Sequence, residues 1–190
     1  MTYDPTVIDL LAHQVLNCVC AALDQTADLV DGQPGCPCRV AVTPGEPALV
    51  VCGTDCKDDP LRQGQLYVNV ERVFRTTNFP AQNTALLDCG AFTYAVELLV
   101  TLVRCTPLAP RGAPPRTDAL QTVASIVNTD KLTVLQAIQC CVPEDPLRPK
   151  KRRVAIVEQR RLGPNGTVVG SVTRFIADLN WSCGCPPEES

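Results

Sequence analysis

The chain has 190 residues, 45% of them hydrophobic but only 4% aromatic, so it can build one domain whose core is filled by Val, Leu, Ile and Ala. A formal charge of -3 lacks the strongly basic balance of a nucleic-acid coat. No run of about 18 apolar residues occurs, the window Ala91 to Val103 carries Glu97, and Met1-Thr2-Tyr3-Asp4 has no basic stretch ahead of an apolar one. The expectation is a chain without a membrane span or secretion signal that folds in a cytoplasm.

Asp4-Pro5 is a helix opening, because an Asp side chain caps free amides and proline costs nothing at the first helical position. Val7, Ile8, Leu11, Val15, Cys18, Val19, Ala22 and Leu23 then recur at three- and four-residue spacing, predicting an amphipathic helix to about Thr26. Asp31-Gly32-Gln33-Pro34-Gly35 breaks it. Residues 38–43 read as a short strand, Thr43 to Pro47 as a turn, Ala48 to Cys52 as a second strand, and Gly53 to Arg62 as a polar loop.

Gln65 to Phe74 forms the next strand, followed by a long excursion from Arg75 to Asp88. Gly90 to Arg104 is the longest strand, with Phe92, Tyr94, Val96, Leu98, Val100 and Leu102 on one face. Its other face, Thr93, Ala95, Glu97, Leu99, Thr101 and Val103, is apolar enough to be at least half covered, so the expectation is helices over one face and neighbouring subunits over the other. Pro107 to Pro115 is a stiff connector. Asp118 to Val142 is helical in pattern, with a break expected near Asn128-Thr129-Asp130, where Thr129 or Asp130 would recap the chain.

Two closing strands, Arg153 to Leu162 and Thr167 to Leu179, flank Gly163-Pro164-Asn165-Gly166, whose Asn-Gly pair is a hairpin signal. The order predicts an α+β fold: a mostly antiparallel sheet with helices packed on one face. One domain over residues 1–180 would be followed by a flexible Cys/Pro-rich tail at 181–190.

Chemistry is sparse. His13 is the only histidine and reads as a helix-surface residue, so no Cys-His or Ser-His-Asp arrangement can be built. No phosphate-binding glycine loop occurs, and Asp55, Asp58, Asp59, Glu71, Glu97 and Asp130 form no spaced metal or acid–base set. The expectation is a protein that is not an enzyme and needs no cofactor.

The 12 cysteines leave alternatives open. An even count fits disulfides in an oxidising medium, whereas a reducing one favours thiols or a metal. Cys36, Cys38, Cys52 and Cys56 could supply four thiolates to a tetrahedral zinc, although the spacing is unusual. Alternatively Cys38 could bond Cys52 or Cys56, and Cys105 could meet Cys140 or Cys141. The basic run Lys150-Lys151-Arg152-Arg153 fits a solvated strand entry, a charge match between subunits, or a nonspecific phosphate contact.

The segments Gly64 to Phe74, Phe79-Pro80, Cys89-Gly90, Val103 to Pro107 and Ala119 to Cys141, with the hairpin Gly163 to Leu179, resemble the tail terminator proteins of long-tailed phages, particularly those infecting actinobacteria. The resemblance spans most of residues 5–180. It implies a hexameric ring at the head–tail interface of a virion assembled in the host cytoplasm, which caps the tail tube, ends its elongation and joins the head connector. Implied partners are other copies of the chain, the tail tube protein and the stopper or connector, with DNA passing through the lumen unread. Arg72, Glu97 and Arg104 are then candidate salt-bridge or lumen residues, and Phe79, Lys150, Lys151, Arg152 and Arg153 candidate axial contacts. Rival readings are another head–tail ring such as a stopper, a minor capsid-associated protein, or a zinc-stabilised protein-interaction module.

Overall fold

In the computed structural model, which describes residues 6–45, 62–84, 91–105, 116–144, 151–165 and 168–182, two helices and five strands follow one another. Their order is α1 (Val7–Leu29), β1 (Arg39–Thr43), β2 (Gly64–Thr76), β3 (Thr93–Cys105), α2 (Thr117–Cys140), β4 (Val154–Asn165) and β5 (Val168–Ser182). The strands form one sheet in the order β1-β2-β3-β5-β4. The fold is α+β, with a mixed, mostly antiparallel sheet: among the described residues only the β1–β2 pair is parallel.

The strand–turn–strand reading of residues 38–52 does not foresee this parallel pair, and its second strand lies outside the described residues. The 39–43 strand takes β2 as its partner, and the segment between Thr43 and Gly64 is long enough for the crossover a parallel pair requires. The expected strand Ala48 to Cys52, the helix-opening Asp4-Pro5 and the connector Pro107 to Pro115 lie outside the described residues. β5 runs to Ser182, two residues into the expected tail.

α1 lies over β1 and β2, α2 over β4 and β5, and the two helices pack on each other above the central strand β3. From α1, Leu11, Val15, Val19 and Leu23 meet Leu66 and Val68 of β2, Val96 to Leu102 at alternate positions of β3, Phe175 and Ala177 of β5, and Val134 and Ile138 of α2. Although α1 is long and apolar enough to cross a membrane by length and composition, this buried stripe belongs to the sheet core.

Two glycines permit the close approach of strands to β3. A Cβ at Gly64, whose φ is +153°, would lie 2.3 Å from the Val103 carbonyl oxygen, and one at Gly170 would lie 2.0 Å from that of Leu102.

α2 is continuous through Asn128, Thr129 and Asp130, against the expected break. Asp130 caps nothing. It falls on the same stripe as Val127, Val134 and Ile138 and turns inward to a guanidinium, which supplies the compensation that a cap would otherwise have offered its carboxylate.

The described cysteines are largely oxidised. Cys18 of α1 bonds Cys141 just beyond α2, and Cys20 bonds Cys36. Cys38 and Cys105 are also disulfide-bonded, while Cys140 is free and exposed. Two expectations fall. Cys36 and Cys38 have no thiolate to give a zinc, and Cys105 pairs with neither Cys140 nor Cys141, because Cys141 is already taken by α1. Cys52 and Cys56 lie outside the described residues.

Candidate functional site

Pairing across the sheet sets which side chains share the face away from the helices. Register places Gln65, Asn69, Phe74 and Thr76 of β2 beside Val103, Leu99, Ala95 and Thr93 of β3, and Val172, Arg174, Ile176 and Asp178 of β5 beside Thr101, Leu99, Glu97 and Ala95. A bulge between Val70 and Arg72 brings Arg72 opposite Glu97. Ten consecutive residues of β3, Ala95 to Arg104, are buried, so both its faces are shielded within one chain. Neighbouring subunits are not needed to cover this strand, contrary to the expectation that they might supply the second cover.

Part of that cover is the segment after β2. The Asn83 amide donates to the Arg75 carbonyl at 2.8 Å, folding residues 77–83 back on the strand end, and the Phe79-Pro80 peptide is cis. Phe79 is thereby half-buried on Phe74, Ala95 and Ile176, a small apolar cluster on the far side of the sheet from the main core. Arg153 lies over its ring at 4.9 Å. The fold-back makes Phe79 an internal packing residue within the chain, not a free axial contact.

Around this cluster the charges are layered. The Glu97 side chain is 4% exposed, and a carboxylate so far from water needs compensation. Two guanidiniums provide it. Arg72 Nε lies 2.5 Å from Glu97 Oε2 and Arg174 Nε lies 3.3 Å from Oε1. Arg72 also donates to Gln82 Oε1 at 2.7 Å, anchoring the folded-back segment. Nearby, the buried Asp178 accepts from Nε and Nη2 of Arg153. Arg72 is 51% and Arg153 56% exposed, so the carboxylates sit beneath and the guanidiniums face outward. The arrangement can hold an acidic group of a partner by the outer faces of its arginines. No proton-transfer pair or nucleophile stands beside it among the described residues.

Arg104 belongs to the other side of the sheet. Its Nε and Nη2 clasp Asp130 of α2 at 2.7 and 3.0 Å, and Nη2 also donates to the Gly35 carbonyl at 2.6 Å. Gln33 donates to Asp130 Oδ1 at 2.7 Å. With side chains 4% and 2% exposed, Arg104 and Asp130 form an internal latch joining β3, α2 and the loop after α1; Arg104 faces no lumen.

The described part of the basic run, Lys151 to Arg153, has partners within the chain. Lys151 lies 2.5 Å from Glu144, and this hydrogen bond, with the carboxylate's charge, raises the Lys151 pKa above its ordinary value. Arg152 is buried and donates to Gln14 Oε1 at 3.0 Å and to the Val142 carbonyl at 3.3 Å. Arg153 serves Asp178, and Lys150 lies outside the described residues. His13 sits on the exposed face of α1 beside Asp9.

The pattern of residues alone does not mark Asp130, Arg174 and Asp178 as ion-pair partners. A signal existed for Asp130, a carboxylate on the same stripe as Val127 and Val134, and for Asp178, which lies one residue from the apolar Leu179 and Ala177 on a strand. None existed for Arg174, whose role depends on the β3–β5 register. No protein-family model matches this chain, and no curated protein is found similar to it in sequence.

Proposed function

We propose that the protein is a structural component of a phage head–tail joint, a tail terminator whose copies form a closed, hexameric ring on the end of the tail tube. The observation that carries this reading is the placement of the resembling segments. Gly64 to Phe74 pairs in direct register with Thr93 to Cys105, Gly64 against Arg104 and Phe74 against Ala95, and Val103 to Cys105 at the end of that strand begins the next resembling motif, which supports a shared wall for the ring. A ring requires each subunit to present complementary patches, and the outward arginines over Glu97 and Asp178 are suited to acidic groups of a neighbouring copy or of the tail tube. The oxidised cysteines accord with a particle that leaves a reducing cell for an oxidising medium.

Imaging of the head–tail joint tests the reading: a six-fold ring of this chain between connector and tube is expected, and particles lacking it should carry tails of uncontrolled length or unjoined to heads. Normal tails and normal joining in its absence would sink the proposal.

A further inference from the structure

Cys140 closes α2 as an exposed, free thiol, while the next residue, Cys141, is bonded to Cys18 of α1. All three line one cleft between the helices, together with Ala22, Thr133 and Ala137. A thiol sharing a cleft with a disulfide is a reactant pair for exchange, whose rate depends on the thiolate fraction and on access to the sulfur attacked. Cys140 is solvent-exposed, and Cys18, the residue whose sulfur it must reach, is buried in the fold but lines the same cleft.

Geometry selects which sulfur is attacked. Adjacent Cα atoms are about 3.8 Å apart, shorter than the roughly 4.4–6.8 Å that disulfides span, which disfavours a Cys140–Cys141 bond. Cys18 and Cys141 have Cα atoms 5.8 Å apart. Moving the bond from Cys141 to its neighbour asks for a shift of about 1.5 Å, one residue's rise along a helix, together with a turn of roughly 100° about its axis. The place is suited to it: α2 ends at Cys140 and residues 141–143 form a turn, so the adjustment falls at a helix terminus.

We infer that Cys140 is an internal exchange thiol for the clasp between α1 and α2. Its sulfur loses a proton to solvent and attacks Cys18 Sγ. The Cys18–Cys141 bond breaks, its electron pair leaves on Cys141 Sγ, and that sulfur takes a proton from solvent. One disulfide and one thiol enter, and one disulfide and one thiol remain, so no oxidant or reductant is consumed. The clasp has two registers, Cys18–Cys141 and Cys18–Cys140, and α1 stays tied to α2 in both while the end of α2 rewinds. This device stands independently of the ring.

The test uses the full chain. Wild-type protein is held without reductant, quenched with N-ethylmaleimide after increasing times, digested unreduced and fragmented between residues 140 and 141. Label should appear on Cys141, with a matching Cys18–Cys140 linked peptide, and rise to a constant share at a rate independent of protein concentration. Label confined to Cys140, or transfer that scales with protein concentration, overturns the inference. In C141S, Cys18 and Cys140 should be found bonded and closed to alkylation; alkylation of both in a variant with unchanged far-ultraviolet circular dichroism overturns it equally. Should C141S fail to fold, the wild-type time course decides alone.

Discussion

On the helix side of β3, Val96, Leu98, Val100 and Leu102 are packed among apolar side chains of α1, α2 and β5; on the other side Ala95 sits in the small cluster with Phe74 and Ile176, while Glu97, Leu99, Thr101 and Val103 are shielded just as well, but with arginines, amides and hydroxyls among their neighbours. Equal burial therefore rests on different physics. The first face gains from removing apolar area from water and from close packing. The second holds a carboxylate whose desolvation is offset by two guanidiniums that themselves keep contact with solvent. A packed apolar face responds to lost volume, whereas a compensated charge responds to which partner is removed.

The sharpest way to break this contrast is at Arg104–Asp130, where the helix side holds its own charge pair. Asp130→Ala should lower stability by about 3–5 kcal/mol in urea unfolding, because it strands a buried guanidinium. Replacing both partners, R104M with D130L, should recover most of that loss; a double variant as unstable as the single one would show that the pair does more than neutralise itself. Phe175→Ala should cost a comparable amount, about 3–5 kcal/mol, since the ring is fully buried among core side chains. A loss below about 1 kcal/mol there would mean the core closes over the void.

Across the sheet the effects should shrink. Glu97→Gln keeps the shape but removes the charge that holds Arg72 and Arg174, and should cost about 1–3 kcal/mol by the same unfolding measurement. Arg72→Ala should cost no more than about 1 kcal/mol, because that guanidinium is half-exposed and Arg174 still faces Glu97. If Arg72→Ala proved as costly as Asp130→Ala, the two faces would not differ in the way described.

Much of this was legible beforehand because it is local. Period-two runs gave Gln65 to Phe74 and Gly90 to Arg104 to within a few residues of β2 and β3, and three- and four-residue spacing gave both helices. Pairing was harder. Nothing in residues 39–43 points to the parallel partner at residues 65–69. The bulge that brings Arg72 opposite Glu97 and the fold-back that seats Phe79 on Ile176 are both consequences of register, which a single strand does not encode. At Asp130 a carboxylate beside Asn and Thr in a helix resembles a recapping site until its partner, 26 residues earlier, is placed beside it. The same non-locality hid Cys18–Cys141, separated by 123 residues in sequence.

The strand order has a consequence for synthesis. β3, like β5, is buried on both faces, yet its two sheet neighbours arrive at different times: β2 precedes it on the chain, and β5 is the last of the described strands. Until the C-terminal hairpin leaves the ribosome, the most apolar strand has one open edge, an invitation to pair with another nascent chain. The interval between translating Cys105 and translating Ser182 is thus the vulnerable period in this protein's production, and any pause within it would favour aggregation over assembly.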